Sequence, residues 1–216
     1  MASYSYPAGE TQNKRALTEV YLIRHSVKMR APVEGKSPAF DRMQPLSAEG
    51  EQRAKKLLDY PELRGADFAV ASTMSRSLAT IRYLIEADNV PFSIDDRLRE
   101  MPNGRRPEHE PFARLMDRIW AEPDFCYPGG ESVRACRTRM DAAIREAVRN
   151  HPGEKLLIAS HGRSIGAYFS GILEDFSEEF VRTINLPDVF HLSFDGEQLV
   201  AYSRLEMPFP MPPLPK

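Results

Sequence analysis

Cysteine is scarce: the 216-residue chain carries two, Cys126 and Cys136, and their spacing fits no short zinc-binding or redox motif. They read as reduced thiols, which excludes a disulfide-stapled secreted scaffold. No apolar run approaches the roughly 20 residues of a membrane-spanning helix, so no membrane association is expected. The opening MASYSYPAGETQNKRALTE lacks the apolar core of a secretory signal, and a cytoplasmic location is expected. A net charge of −2 supplies no global basic field for nucleic acid, so any cationic site must be local. The histidines show no compact zinc spacing, and neither a metal nor a cofactor is expected. No internal repeat is present, and oligomeric state is not readable.

What is present is the composition of a globular protein, 42% hydrophobic and 28% charged, long enough for a substantial core. Residues 1–17 are polar and read as a flexible arm, 18–206 as a single domain, and 207–216, MPFPMPPLPK, as an extended proline-rich tail. Short apolar runs at 20–23, 67–71, 91–94 and 155–159 predict strands. Helices are predicted over 48–59, from the STMSRS turn to about 87, around 111–120, over 132–150, from 162 to about 173, and around 177–183. Ser47 and Ser132 are placed to cap two of them. The stretch 27–45 holds Pro32, Gly35, Pro38 and Pro45 and reads as a long irregular loop. Residues 101–128 read as a lid-like insert outside the core. VFHLSF and EQLVAYS, joined at Asp195-Gly196, predict a β-hairpin. Together these elements predict an α/β fold, a three-layer sandwich whose mostly parallel central sheet ends in an antiparallel edge hairpin.

The chemistry concentrates at strand exits. VYLIRHS, residues 20–26, runs four apolar residues straight into Arg24 and His25. KLLIA runs into Ser160, His161 and Gly162, and DFAVA runs into a turn carrying Arg76. The strand at 91–94 is followed by Arg99 and Glu100. Parallel neighbours in one sheet would bring these ends to a single crevice. Two arginines there are lasting, bidentate partners for an oxyanion such as phosphate. A neutral histidine is a nucleophile, a second histidine can donate a hydrogen bond, and a glutamate can shuttle a proton. Such a set moves a phosphoryl group by way of phosphohistidine, with its own cations neutralising charge in place of a metal.

The motifs LIRHS (22–26), PLSAEG (45–50), STMSRSLAT (72–80), RLRE (97–100), GGES (129–132) and SHG (160–162) are each weak alone, but their order and spacing are specific. By them the chain resembles the histidine phosphatase superfamily, in its phosphoglycerate mutase-like branch, over about 20–203. The resemblance implies a phosphoglycerate mutase-like fold. It also implies His25 as the phosphorylated nucleophile, Arg24, Arg76 and His161 as phosphate ligands, and Glu100 as the proton donor.

The chain also departs from that pattern. Ser26 stands where the family usually has glycine, with Lys28 and Ala31 where it has threonine and asparagine. Ser26 and Lys28 are expected to reach substrate, Ser26 through its backbone N–H and Lys28 as an added cation; Arg30 is a weaker candidate. His109, His151 and His191 are read as structural or exposed, Arg105 and Arg106 as a solvated loop, and Ser160 as a support for its turn. The expected activity is a metal-independent phosphatase acting on a small phosphomonoester. The alternatives are a mutase, which would need a longer substrate-gripping insert after Glu100, and a phosphate-binding regulatory protein with little turnover.

Overall fold

The computed structural model describes residues 16–29, 38–105 and 107–209. The arm at 1–15, Arg30, Ala31, Arg106 and the end of the proline-rich tail lie outside the described residues. The strands are β1 (Thr18–Arg24), β2 (Phe68–Ser72), β3 (Phe92–Asp95), β4 (Lys155–Ser160), β5 (Asp188–Asp195) and β6 (Gln198–Arg204). They form one six-stranded sheet in the order β3-β2-β4-β1-β5-β6. The β1, β2, β3 and β4 pairings are parallel, and β5 and β6 add the antiparallel edge. This is the predicted α/β arrangement.

Seven helices are assigned among the described residues: α1 (Pro38–Met43), α2 (Ala48–Lys55), α3 (Ser75–Asp88), α4 (Phe112–Ala121), α5 (Val133–Asn150), α6 (Gly162–Phe169) and α7 (Glu178–Thr183). Successive strand residues face opposite sides, and both sides are covered. Val20, Leu22, Leu156 and Ile158 share one buried cluster with Met140 and Ile144 of α5 and Phe169 of α6. Tyr21, Ile23, Leu157 and Ala159 share the other with Ile81 and Leu84 of α3. Two-sided burial is why β1 and β4 are near-continuous apolar runs without polar alternation.

Three local expectations are corrected. The 27–45 stretch is not irregular throughout, because its described end contains α1. The 101–128 segment is not wholly outside the core. The amphipathic helix α4 puts Leu115 and Ile119, at 1% and 3% exposure, into the cluster beside α5, where Met101 is also buried. Helix α6 stops at Phe169 rather than near 173, and residues 170–172 continue as turns. Ser47 and Ser132 cap α2 and α5 by accepting from Gly50 N and Ala135 N. The described start of the tail packs on the domain: Phe209 is buried, with the Arg53 guanidinium 5.5 Å from its ring centroid.

Candidate active site

Sheet register brings the strand exits together. Arg24 at the end of β1 is the Cα partner of Ser160 at the end of β4, and β2 pairs β4 on its other side. The ladder extends one residue past β1, where His25 N donates to Ser160 O at 3.0 Å. The His25 and His161 rings therefore lie with centroids 5.0 Å apart.

The His25 tautomer is set by its partner. Nδ1 lies 2.7 Å from Ser26 O, and a carbonyl only accepts, so Nδ1 carries the proton and Nε2 keeps its lone pair. Burial, then His161, Arg76 and Arg24, hold the imidazole well below its ordinary pKa of 6.5, so it is neutral at pH 7. In His161, Nε2 lies 2.6 Å from Ser72 Oγ. That hydroxyl accepts from Met74 N and from Ser77 Oγ, both at 3.1 Å, which fills its two lone pairs, so we assign its proton to Nε2 and the ring proton of His161 to Nδ1. Burial, Arg76 and Arg24 keep this histidine neutral too. In the ligand-free site it is a hydrogen-bond donor without being charged, as its expected role requires.

Among the described residues the buried side-chain nitrogens and oxygens with no hydrogen-bond partner are Arg24 Nε, Arg76 Nε and His161 Nδ1. All three are nitrogens that can donate. Buried polar groups are rarely left unpaired, and three such donors together, on residues that interact electrostatically, have the chemistry to hold an oxyanion. Arg24 is held by the carbonyls of Ile184 and Asn185. Its pKa is pushed down to about 10 by burial, against Glu100 and Asp188, which leaves it cationic at neutral pH. Gly162 is needed for this placement: a Cβ there would sit 2.8 Å from Arg24 Nε. Arg76, 1% exposed, donates to Asp41 O at 2.6 Å and lies 3.6 Å from Asp41 Oδ1.

Glu100 Oε1 accepts from Met101 N at 2.9 Å and from Ser164 N at 3.2 Å. Burial raises this carboxyl, but Arg163, the Met101 N–H, Arg76 and His25 outweigh it and bring the pKa to about 2. Arg163 Nε lies 3.6 Å from Glu100 Oε2, and its Nη1 donates to Asn103 Oδ1.

Ser26 is placed differently from the expectation. Its N–H donates to Thr80 Oγ1 at 2.8 Å and its hydroxyl to Gly50 O at 2.8 Å. Both donors are committed to the scaffold, and the contribution of Ser26 to the site is the carbonyl that orients His25. Lys28 Nζ lies 3.4 Å from Asp41 Oδ1 at the mouth, and burial, with Arg76, lowers its pKa. Ser160, expected to support its own turn, instead donates across to Leu98 O at 2.8 Å, in the segment that leads to Glu100. His151 stacks on Phe68 and pairs with Glu154, and His191 stacks on Tyr21 and pairs with Glu19. Sequence reasoning missed Asp41, Ser72 and Asn103. Ser72 was within reach, as the last residue of β2 inside a quoted motif; Asp41 lies in the six-residue helix α1, too short and too closely flanked by prolines to leave a helical periodicity in the sequence. Among the described residues no group of three acidic, histidine or cysteine side chains is arranged to hold a metal, and no helix is long and apolar enough to cross a membrane.

The sheet brings paired histidines, arginines and a carboxylate to one end of an α/β fold, and the comparisons with known proteins give the class of that fold. Residues 20–202 match the family model of the histidine phosphatase superfamily (branch 1), and the chain belongs to that family. A probable phosphoglycerate mutase GpmB from Enterobacter sp. (strain 638) is 28% identical over 169 residues, 73% of this chain and 75% of its own. Two solved structures share the fold at low identity. The mycobacterial glucosyl-3-phosphoglycerate phosphatase has a TM-score of 0.64 at 19% identity, covering 87% of this chain and 97% of its own. A phosphoserine phosphatase variant from Entamoeba histolytica, in complex with phosphoserine, has a TM-score of 0.65 at 17% identity, covering 87% and 96%.

Proposed function

We propose that this chain is a metal-independent phosphomonoesterase that works through a phosphohistidine on His25. The observation that carries the reading is the set of buried, unpartnered nitrogens of Arg24, Arg76 and His161 beside a histidine whose free lone pair is on Nε2. A phosphoryl group in that cradle would accept from all three while its phosphorus faces Nε2. In the first step Nε2 attacks phosphorus, the ester P–O bond breaks, and protonated Glu100 gives its proton to the departing oxygen. In the second, ionised Glu100 takes a proton from water, the hydroxide attacks phosphorus, the P–N bond breaks, and phosphate leaves.

Glu100 is ionised in the unliganded site. A phosphate dianion placed beside it opposes that ionisation and offsets the arginines, raising the pKa towards the range of a proton donor. The substrate thereby prepares its own acid. Structural relatives named as phosphatases, acting on a glucosyl phosphoglycerate or crystallised with phosphoserine, favour hydrolysis of a small phosphorylated metabolite.

The relatives named as probable phosphoglycerate mutases keep a second reading in play. A mutase must hold its intermediate away from water, and the segment after Glu100 is short and given over to α4, which is anchored in the core. Incubation with 3-phosphoglycerate and a trace of its bisphosphate separates the two: free phosphate is expected, and isomer without free phosphate would replace the phosphatase by the mutase.

A further inference from the structure

The GGES motif has no part in the chemistry above, yet it is strapped to the segment that carries Glu100. Three consecutive carbonyls ahead of Glu100 are each held by a side chain from a different element. Arg139 Nη1 of α5 donates to Arg97 O at 2.5 Å, Ser160 Oγ of β4 to Leu98 O at 2.8 Å, and Ser164 Oγ of α6 to Arg99 O at 2.8 Å. Behind Glu100 the chain is held by the turn at 127–131. Glu131 N donates to Pro102 O, Arg105 N donates to Pro128 O, and Asn103 bridges Gly130. A Cβ on Gly130 would lie 3.0 Å from Asn103 C and O, so the close approach depends on glycine.

One ion pair joins the two halves. Arg139 Nε and Nη2 donate to Glu131 Oε1 and Oε2 at 2.7 and 2.6 Å, with both side chains 11% exposed. Arg99 Nη2 reaches the same carboxylate at 3.4 Å. Neither Glu131 nor Arg139 makes a hydrogen bond to His25, His161, Arg24 or Arg76 among the described residues. Planar, bidentate pairing of this kind fixes geometry as well as charge.

We infer that the Glu131–Arg139 pair and the turn at 127–131 are a positioning device for Glu100, holding its carboxyl at the leaving-group side of the pocket. The inference rests on the proton-donor role proposed above. A misplaced donor slows only esters whose leaving group needs a proton. The effect belongs in the turnover of an alkyl phosphate and should be small for p-nitrophenyl phosphate, whose phenolate departs unassisted.

The experiment compares glycerol 2-phosphate with p-nitrophenyl phosphate in the wild type, in Glu100→Gln, in the double variant Glu131→Gln/Arg139→Met, and in their combination. The double variant leaves no unpaired buried charge, and Gly130→Ala, which keeps both charges, serves where it fails to fold. The device predicts a kcat loss at least about 10-fold larger on the alkyl ester than on the aryl ester, as general-acid contributions of 10²–10⁴ allow. KM should change little, and the combination should be no slower than Glu100→Gln alone. Equal losses on both esters, no loss on either, or a full additional loss in the combination would overturn it. Glu100→Gln without leaving-group dependence would overturn the donor role and this inference together. A wild type inert on both esters would overturn the phosphatase reading itself.

Discussion

The Nδ1–H of His25 donates to the carbonyl of Ser26, the next residue, at 2.7 Å. This one bond decides which nitrogen can act as a nucleophile, and it is made to the residue that departs from the family pattern. The departure is harmless there, because the bond uses the backbone of Ser26 and not its side chain.

Ser26→Gly is accordingly expected to cost stability rather than phosphate affinity. It removes the hydroxyl that donates to Gly50 O, a loss of about 1 kcal/mol for one neutral hydrogen bond, with some added cost from the flexibility of glycine. Urea denaturation and phosphate titration separate the two quantities. A large loss of phosphate affinity with unchanged stability would return Ser26 to the ligand set.

Asp41 places a carboxylate between Lys28 and Arg76, 3.4 Å from the first and 3.6 Å from the second. Its charge opposes an incoming dianion. Asp41→Asn should tighten binding of inorganic phosphate several-fold, on the order of 1 kcal/mol for a partly solvated charge. The backbone carbonyl that holds Arg76 is retained. Weaker binding measured by calorimetry would show that Asp41 serves the pocket by holding Lys28 and Arg76 in place.

Acid should weaken the fold in two stages. His25 and His161 have pKa values below their ordinary 6.5 in the folded state, so the unfolded chain takes up their protons first. Their contribution is complete above about pH 6.5 and falls as pH drops below it. Glu100, at about 2 against an ordinary 4.5, contributes fully above 4.5 and loses that contribution as pH falls towards 2. Chemical denaturation across this range checks both stages, and His161→Gln should flatten the first. A stability that rises between pH 7 and 5 would contradict the neutral, buried histidines.

The sheet was legible because two-faced burial leaves a plain mark: VYLI and KLLIA have no polar alternation, and each ends abruptly in a histidine. The hairpin was marked by Asp195-Gly196, and Gly196 takes a positive φ of 56° at the turn. The site was less legible where long-range geometry decides. Nothing in the local pattern says that Ser26 turns towards Thr80 and Gly50, which are 54 and 24 residues away in the chain. In sequence Arg163 is only a cation at the start of the helix predicted from 162, and its place beside Glu100 depends on the path of the chain after β3. The apolar face of α4 belongs to the core because Leu115 and Ile119 join the cluster that α5, α6 and α7 line, which the proline- and charge-rich 101–128 stretch conceals.

Arg163 is the largest single influence lowering the Glu100 carboxyl, second only to the opposing burial. In Arg163→Met burial should dominate, and the Glu100 titration should move upward. The carbon-13 shift of a labelled Glu100 carboxyl followed against pH reports this directly. A midpoint that stays put would show that Arg163 is turned to solvent rather than to Glu100.

The central claim is a covalent phosphoryl group on His25, and the most direct measurement is to trap it. The protein is mixed with a fast aryl phosphate and quenched in alkali within the first turnover, conditions under which phosphohistidine survives, and the modified peptide is located by mass spectrometry. The account predicts phosphate on the peptide containing His25, none in His25→Ala, and no hydrolysis by that variant. Phosphate on another residue, or turnover retained in His25→Ala, would contradict it.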